Sequence, residues 1–351
     1  MRIEEVEWFQ AGRWVYVLVH CEDGTIGLGE GGIHGYPEAV GGVLQAWRTY
    51  LIGKNPLQIE HHWQFLYRNS HFRGAVIGSA LSAIDIALWD ILGKATGQPV
   101  GRLLGGRYRE RVAPYASLLM EEPVKMRDRL SEVKSQGFRA FKIGWGPFGR
   151  ALDHKLDEAI VKAARDGAGP KSKLFVDAGA SDAYWPHGLK WALRTAEMLK
   201  DYDVGWFEEA LKPDAIDDFV ELRRQSPVPI AGGEVLTRRQ AFQPWLTAGA
   251  FDIVQPDVTK CGGLSEQRRI AQVQPQSFTL DQHLRQRRDV AQAQVQPLPR
   301  DRMDAVRGIT DQRQPLRRDP RGMVEAQRIA RARRCRGADT RAPRPCPSSA
   351  R

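Results

Sequence analysis

Three acidic residues stand at the ends of successive apolar runs in the middle of the chain: Asp177 in LFVDAG, Glu208 in VGWFEEA and Glu234 in PIAGGEV. The intervals between them are 31 and 26 residues, about one strand–helix–strand unit each. Each run is typical of a strand buried in a parallel sheet. The carboxyl ends of parallel strands meet at one edge, so we expect the three carboxylates to lie there together.

Carboxylates gathered at a buried edge cost free energy unless something positive lies between them. Oxygen-only ligands suit a hard divalent cation, Mg²⁺ first. The sequence therefore predicts a metal site of Asp177, Glu208 and Glu234 at the mouth of a β/α barrel, where barrel enzymes keep their chemistry. The alternative is that these acids cap helices or pair with arginines. Glu209 is expected to point the opposite way, into the layer between strands and helices.

Residues 113–271 alternate between strand and helix patterns, which predicts a parallel sheet with helices outside it. The strand candidates are VAPYASL, FRAFKIG, KLFVDAG, VGWFEEA, PIAGGEV and FDIVQPD, and helical stretches between them include LDEAIVKAARDG, LKWALRTAEMLKDY, DAIDDFVELRRQ and TRRQAFQPWLTAG. The sequence therefore predicts six strands before Asp257, whereas a closed barrel of this kind has eight.

Residues 1–112 have the pattern of a separate α+β unit. The segment WVYVLVHCEDGTIGLGE predicts two strands around a turn at Asp23-Gly24. The stretch GSALSAIDIALWDILGKATG predicts a helix, which Gly97 and Pro99 end. Its apolar residues recur at helical spacing: Leu81, Ile84, Leu88 and Leu92.

The net charge of +10 comes from the C-terminal segment. From Gln267 onward the chain holds 20 Arg, no Lys and eight Asp+Glu, a net charge of +12, which leaves −2 for the first 266 residues. All ten Trp and all eight Tyr precede Gln267. A basic pI therefore describes the tail, and we expect no nucleic-acid partner for the body of the protein.

Residues 272–351 are rich in Arg, Gln and Pro and lack a periodic apolar pattern. One interpretation is a basic, disordered tail, because such a segment cannot bury enough apolar surface to order itself. The other is an out-of-frame translation of GC-rich DNA. We favour the second, because the break falls inside a helix of an unfinished barrel. A barrel truncated in this way would be catalytically dead.

The chain predicts a cytoplasmic protein with no membrane partner. Its N-terminus, MRIEEVEWF, lacks the apolar core of a signal peptide, and no apolar run looks long enough to cross a bilayer. The four cysteines are far apart and form no CxxC pair, which favours neither a zinc site nor a disulfide framework. They are Cys21, Cys261, Cys335 and Cys346.

Residues 1 to about 271 resemble the mandelate racemase/muconate lactonizing enzyme family of the enolase superfamily. The resemblance rests on SALSAIDIALWDILGKATGQPVGRLLGG, followed in the family's order by GFRAFKIG, FVDAG, WFEEA, GGE and QPDVTKCGG. It implies an N-terminal α+β capping domain over a modified (β/α)₇β barrel, here without recognisable last strands. It also implies removal of the proton α to a substrate carboxylate, with the enediolate stabilised by Mg²⁺.

The resemblance assigns further catalytic residues. Lys142 in FKIG is the candidate base or carboxylate-polarising group, where the family's racemases carry Lys-x-Lys and this chain has one Lys. Asp257 in QPDVTK matches the acid that orients a seventh-strand His, which has no counterpart here; a helix N-cap is its alternative role. Lys260 matches a family position beside the metal-site acids.

Three residues are candidates for contacting a substrate. His34 and Tyr36 lie in the loop GGIHGYPEAV, which the resemblance places over the substrate, and Trp145 follows the second barrel strand. Ordinary loop and core positions are the alternatives. The single Lys argues against a two-base racemase and favours a Mg²⁺-dependent dehydratase of a sugar acid, with a cycloisomerase as the alternative. We expect a small carboxylate substrate and a homo-oligomer.

Overall fold

The structure is a computed structural model that describes residues 1–106, 111–150, 153–179 and 188–273. Its N-terminal part contains a three-stranded antiparallel sheet of β1 (Ile3–Ala11), β2 (Trp14–Cys21) and β3 (Ile26–Gly31) in that order. The predicted hairpin between β2 and β3 is confirmed, and Gly24 closes its turn by donating to the Cys21 carbonyl at 2.9 Å. β1 was not predicted, because its charged residues obscure the alternation of apolar ones.

Four helices accompany this sheet: α1 (Pro37–Leu51), α2 (Ile59–Asn69), α3 (Ala75–Thr96) and α4 (Val100–Leu103). The predicted helix is α3, and Gly97 ends it in the left-handed conformation with φ 63°. It packs so closely on β3 that a Cβ at Gly29 would lie 1.9 Å from the Ala83 carbonyl oxygen. The glycines of β3 therefore allow this helix to lie directly on the sheet.

The prediction that no apolar run looks long enough to cross a bilayer is wrong for α3 in length and composition. Its 22 residues include a window of mean hydropathy 1.7, so by those two criteria α3 is apolar enough to cross a membrane. However, 61% of that window is buried inside the protein, and Ile84 and Leu88 are each 1% exposed. These contacts are those of a core helix.

The second part contains six parallel strands in the order β4-β5-β6-β7-β8-β9, as predicted. The strands are β4 (Ala116–Leu119), β5 (Ala140–Gly144), β6 (Lys173–Asp177), β7 (Val204–Glu208), β8 (Ile230–Gly232) and β9 (Ile253–Val254). The helices are α5 (Pro123–Ser135), α6 (His154–Ala168), α7 (Leu189–Asp201), α8 (Ile216–Gln225), α9 (Arg238–Ala248) and α10 (Gly263–Gln272).

Strand pleating separates two apolar layers. One layer packs among the helices and includes Phe141, Val176 and Phe207. The other lies on the opposite face of the strands and consists of Ala140, Phe175, Trp206 and Ala231, with the Phe175 and Trp206 rings stacked at 3.5 Å. Residues two positions further along a strand point to the same face, so this second layer is the floor beneath Lys142, Asp177 and Glu208.

Two predictions are untested by this fold. The boundaries at residues 112 and 271 stay predictions. Residues 274–351, which include nearly all of the predicted aberrant tail, lie outside the described residues, so the out-of-frame interpretation also stays a prediction.

Candidate active site

Lys142 lies between two of the predicted metal ligands. Its Nζ is 2.6 Å from Asp177 Oδ2 and 2.9 Å from Glu208 Oε1, and all three side chains are at least 92% buried. Neighbouring strands bring them together, because Gly144 of β5 is in register with Asp177 of β6, which in turn is in register with Glu208 of β7. One ammonium therefore serves two buried carboxylates at the carboxyl edge of the sheet.

The remaining carboxylate oxygens of this pair are also satisfied. Asp177 Oδ1 accepts from the Gly179 amide at 2.9 Å. Glu208 Oε2 accepts from Trp206 Nε1 at 3.0 Å. Sequence analysis missed this role of Trp206, although its position two residues before Glu208 on one strand is the signal that places both side chains on one face.

The pKa values of Lys142 and Asp177 show how the charges in this cluster act on one another. Burial by itself would lower the pKa of Lys142, but Asp177 and Glu208 outweigh it and hold that pKa well above its ordinary value. Burial and the Glu208 carboxylate raise the pKa of Asp177 even though Lys142 opposes this. The lysine is thus charged, and its single positive charge does not offset the burial of Asp177 and the repulsion between the Asp177 and Glu208 carboxylates.

Glu234 and Asp257 form a second group around Lys260. Lys260 Nζ lies 3.4 Å from Asp257 Oδ2 and 3.9 Å from Glu234 Oε1. Burial opposes the charge on Lys260, but Glu234 and Asp257 raise its pKa overall. Asp257 Oδ1 accepts from the Thr259 amide at 2.8 Å and from the Thr259 hydroxyl at 2.7 Å. A side chain that caps a helix N-terminus accepts a backbone amide in the same way, so this contact agrees with the alternative role predicted for Asp257.

Glu209 is buried beside both groups. It is 3% exposed and lines a small cavity with Phe219 and Trp245 on the helix side of the sheet. Burial and then the Glu234 carboxylate raise its pKa well above the ordinary value. Its surroundings therefore favour the neutral form of Glu209, whose φ is 47° at the turn that follows β7.

The three predicted ligands are not gathered as one set. Within residues 1–106, 111–150, 153–179 and 188–273, no three acidic, His or Cys side chains already converge to hold a metal ion. Asp177 and Glu208 share Lys142, whereas Glu234 faces Lys260 and its side chain is 30% exposed. The donor chemistry nevertheless fits a hard cation, because all three groups are carboxylates, which supply oxygen ligands.

The predicted substrate-binding residues follow two strands: Trp145 follows β5, and His34 and Tyr36 follow β3. Trp145 has φ 65°, and its indole packs so closely on Gly179 that a Cβ there would lie 2.7 Å from Cε2. His34 and Tyr36 are exposed, Tyr36 by 66%. Their loop contacts the barrel through Gly32, whose amide donates to the Thr259 carbonyl at 2.9 Å.

Two family sequence models cover most of the described chain. The mandelate racemase/muconate lactonizing enzyme N-terminal domain matches residues 6–105, and the enolase C-terminal domain-like model matches residues 125–276. The chain belongs to the mandelate racemase/muconate lactonizing enzyme family. It is thus a member of the enolase superfamily, whose enzymes are generally metal-dependent, and the expected capping-domain and barrel architecture is confirmed.

Relatives of known activity are sugar-acid enzymes. The chain is similar to D-galactarolactone cycloisomerase of Agrobacterium fabrum, with 39% identity over 267 residues, 73% of this chain and 67% of the relative. It is similar to D-galactonate dehydratase of Xanthomonas oryzae pv. oryzae, with 31% identity over 279 residues, 78% and 72% of the two chains. A crystal structure of an enolase from Agrobacterium radiobacter, with sodium and L-malate bound, matches with TM-score 0.71 and 31% identity, covering 78% of this family member and 71% of that chain.

Proposed function

We propose that this protein removes the proton α to the carboxylate of a sugar acid and eliminates the β-hydroxyl as water. The observation that carries the proposal is the buried contact of Lys142 with Asp177 and Glu208 at the carboxyl edge of the sheet. Such a site suits a hydroxylated carboxylate as substrate, because fixed cations in the site stabilise the negative charge of the substrate. Relatives named for D-galactonate and D-galactarolactone support an aldonate or aldarate as the substrate class.

Mg²⁺ is the cofactor we propose, with Asp177, Glu208 and Glu234 as its holders. When bound, it would supply Lewis-acid stabilisation of the charge that develops on the substrate carboxylate. The repulsion between Asp177 and Glu208, which Lys142 does not offset, supports a further cation beside Lys142. The sodium ion in the Agrobacterium radiobacter relative shows that cations bind to at least one member of the superfamily.

Lys142 acts in this proposal as a fixed positive charge. Its pKa is well above the ordinary value, so in the state described it cannot accept a proton and instead pairs with a carboxylate. Lys260 and Asp257 supply a second charged pair at the edge of the site. Of the two roles predicted for Lys142, the geometry favours polarising the substrate carboxylate over acting as the base.

Dehydration and cycloisomerisation remain the two candidate outcomes. In dehydration a general base accepts the α proton, the electron pair of the broken C–H bond forms the C=C bond of an enol, and the β C–O bond breaks. The leaving hydroxyl takes up one proton, so that the net change is the loss of one water. The enol then becomes a 2-oxo acid. A cycloisomerase is the second candidate, because the relative with 39% identity has that activity.

The test is turnover of D-galactonate and D-galactarolactone by the full chain with MgCl₂. Both reactions form a 2-oxo acid, detected as its semicarbazone, because β-elimination of the ring oxygen of the lactone also leaves an enol. A dehydratase forms the 2-oxo acid from D-galactonate with loss of water, whereas a cycloisomerase forms it from the lactone without loss of water. We expect EDTA and Asp177→Asn to abolish the reaction. Glu221→Gln, on the exposed side of α8, is the matched control and should keep it. Activity that survives both EDTA and Asp177→Asn would contradict the proposal.

A catalytically dead chain would show a different result. It would bind Mg²⁺ in a calorimetric titration and form no product from either substrate. The cytoplasm and a homo-oligomer remain our proposals for compartment and assembly. The free, buried thiols of Cys21 and Cys261 support a reducing compartment.

A further inference from the structure

The turn of residues 257–263 carries Asp257 and Lys260, and the N-terminal part of the chain holds it at several points. The Gly262 amide donates to Ser82 Oγ at 2.9 Å, and Trp63 Nε1 donates to the Gly262 carbonyl at 2.8 Å. A Cβ at Gly78 of α3 would lie 2.6 Å from the Lys260 carbonyl oxygen. The backbone beside Lys260 is therefore in direct contact with α3.

Asp85 is the charged group at the centre of this contact. It lies on α3, is 2% exposed, and its Oδ2 accepts from the Ser265 amide in the first turn of α10 at 3.0 Å. Gly263 makes room for it, since a Cβ there would lie 2.4 Å from Asp85 Oδ2. Trp89 Nε1 donates to Ser265 Oγ at 2.9 Å on the same helix pair.

The chemistry of a helix N-terminus explains why a carboxylate lies here. The first amides of a helix have no partner within it, and a negative charge is favoured beside them. Asp85 supplies that acceptor from another part of the chain, rather than from the residue before α10, which is Gly262. The first turn of α10 is therefore fixed to α3 rather than to its own preceding loop.

The first turn of α10 is also hydrogen-bonded to the start of α9, which follows Glu234. Glu266 is fully buried, and its Oε1 accepts from the Arg239 amide at the start of α9 at 3.0 Å. The Arg238 amide donates to the Cys261 carbonyl at 3.1 Å. A shift of α10 would thus move both the Lys260 turn and the segment after Glu234.

We propose that Asp85 is a positioning residue: through the first turn of α10 it fixes the turn that carries Asp257 and Lys260. The proposal rests on the proposed function only in treating Asp257 and Lys260 as site residues. Asp85 itself acts through the Ser265 amide and touches no substrate. Burial raises its pKa to about 7, and the bonds from the first turn of α10 oppose that rise.

The experiment is residue-resolved amide hydrogen exchange of the full chain and its variants. Asp85→Ala removes the acceptor and is expected to raise exchange of the amides in residues 259–265 at least tenfold. Asp85→Asn keeps an acceptor oxygen and is expected to restore exchange to within threefold of the parent. Asp90→Ala is the matched control, because Asp90 also accepts a backbone amide, that of Leu28, but within the N-terminal part. It should leave residues 259–265 unchanged.

Two results would overturn the proposal. One is unchanged exchange in residues 259–265 of Asp85→Ala, and the other is an equal rise in β1, β2 and β3, which a general loss of stability produces. If Asp85→Ala does not fold, Asp85→Leu tests the same contact, because leucine has nearly the shape of aspartate but no oxygen to accept the Ser265 amide. We expect it to raise local exchange severalfold, and parent-like exchange would overturn the proposal.

A second measurement separates this inference from the proposed function. Exchange needs neither metal nor turnover, so it reports on positioning even in an inactive chain. Where turnover is found, Asp85→Ala should lower kcat at least tenfold and Asp85→Asn should recover most of it. If the parent chain shows no turnover but Asp85→Ala still raises exchange in residues 259–265, the proposed function is contradicted and the positioning role of Asp85 is supported.

Discussion

Lys142 Nζ lies 2.6 Å from Asp177 Oδ2, and the side chains of both residues are 8% exposed. An ammonium that also contacts Glu208 at 2.9 Å occupies the space between two predicted metal ligands. These two acids are thus kept together by a charge that the chain itself supplies. This arrangement has consequences for stability, for cation binding and for pH dependence.

Removing the Lys142 charge should destabilise the fold strongly. Lys142→Met leaves two buried carboxylates without their cation, which costs about 3–5 kcal/mol for a broken buried pair. Urea unfolding measures this loss. Lys173→Met is the control, because Lys173 is an exposed lysine on neighbouring β6, and it should change stability by less than about 0.5 kcal/mol. Equal effects of the two variants would contradict the prediction.

Mg²⁺ should stabilise the protein through Asp177 and Glu208. A ligand present at 100 times its Kd, bound by the folded state alone, adds about 2.7 kcal/mol. We expect a rise of Tm with MgCl₂ in the parent protein and no rise in the double variant Asp177→Asn, Glu208→Gln. Asp166→Asn, in an exposed pair with Lys162, should respond like the parent. A full response in the double variant would place the cation elsewhere.

Asp85 should make stability fall as pH rises towards neutrality. Burial raises its pKa from 3.8 to about 7, with Arg269 and Cys261 within electrostatic reach. The folded state therefore binds this proton more tightly than the unfolded state does. Its contribution is complete below about pH 4 and is lost by about pH 7, a change of about 4 kcal/mol.

The check is the unfolding free energy of the parent and of Asp85→Asn between pH 4 and pH 8. The difference between them isolates Asp85 from other titrating groups. We expect the unfolding free energy of the parent to fall relative to that of Asp85→Asn as pH rises across this window. A constant difference would show that the Asp85 carboxyl titrates alike in the folded and unfolded states.

Added volume at Gly78 should push α3 away from the Lys260 turn. A Cβ there meets the Lys260 carbonyl oxygen at 2.6 Å and Thr237 Cβ at 3.3 Å, and backbone contacts of this kind cannot move aside cheaply. Gly78→Ala should lose about 1–3 kcal/mol. Gly42→Ala in α1 has open space at its Cβ and should instead gain about 0.5–1 kcal/mol. Calorimetry of both variants tests the opposite signs.

Sequence periodicity alone predicted much of this fold. The β2–β3 hairpin, α3 and six parallel strands are where the alternation and helical spacing placed them. β1 was missed because charged residues such as Glu4, Glu5 and Glu7 interrupt its apolar face. The candidate acids were found because a carboxylate after a buried strand is a local pattern, visible without knowing which strands are neighbours.

The sequence by itself determined the family, the strand order and the chemical type of each candidate site residue. Only the tertiary structure decided their partners: Lys142 lies between Asp177 and Glu208, Glu234 faces Lys260, and Asp85 bonds the Ser265 amide 180 residues away. The physical reason is that side-chain period fixes the face of a strand or helix, whereas distances across the sheet depend on register and on how α3 packs against α10.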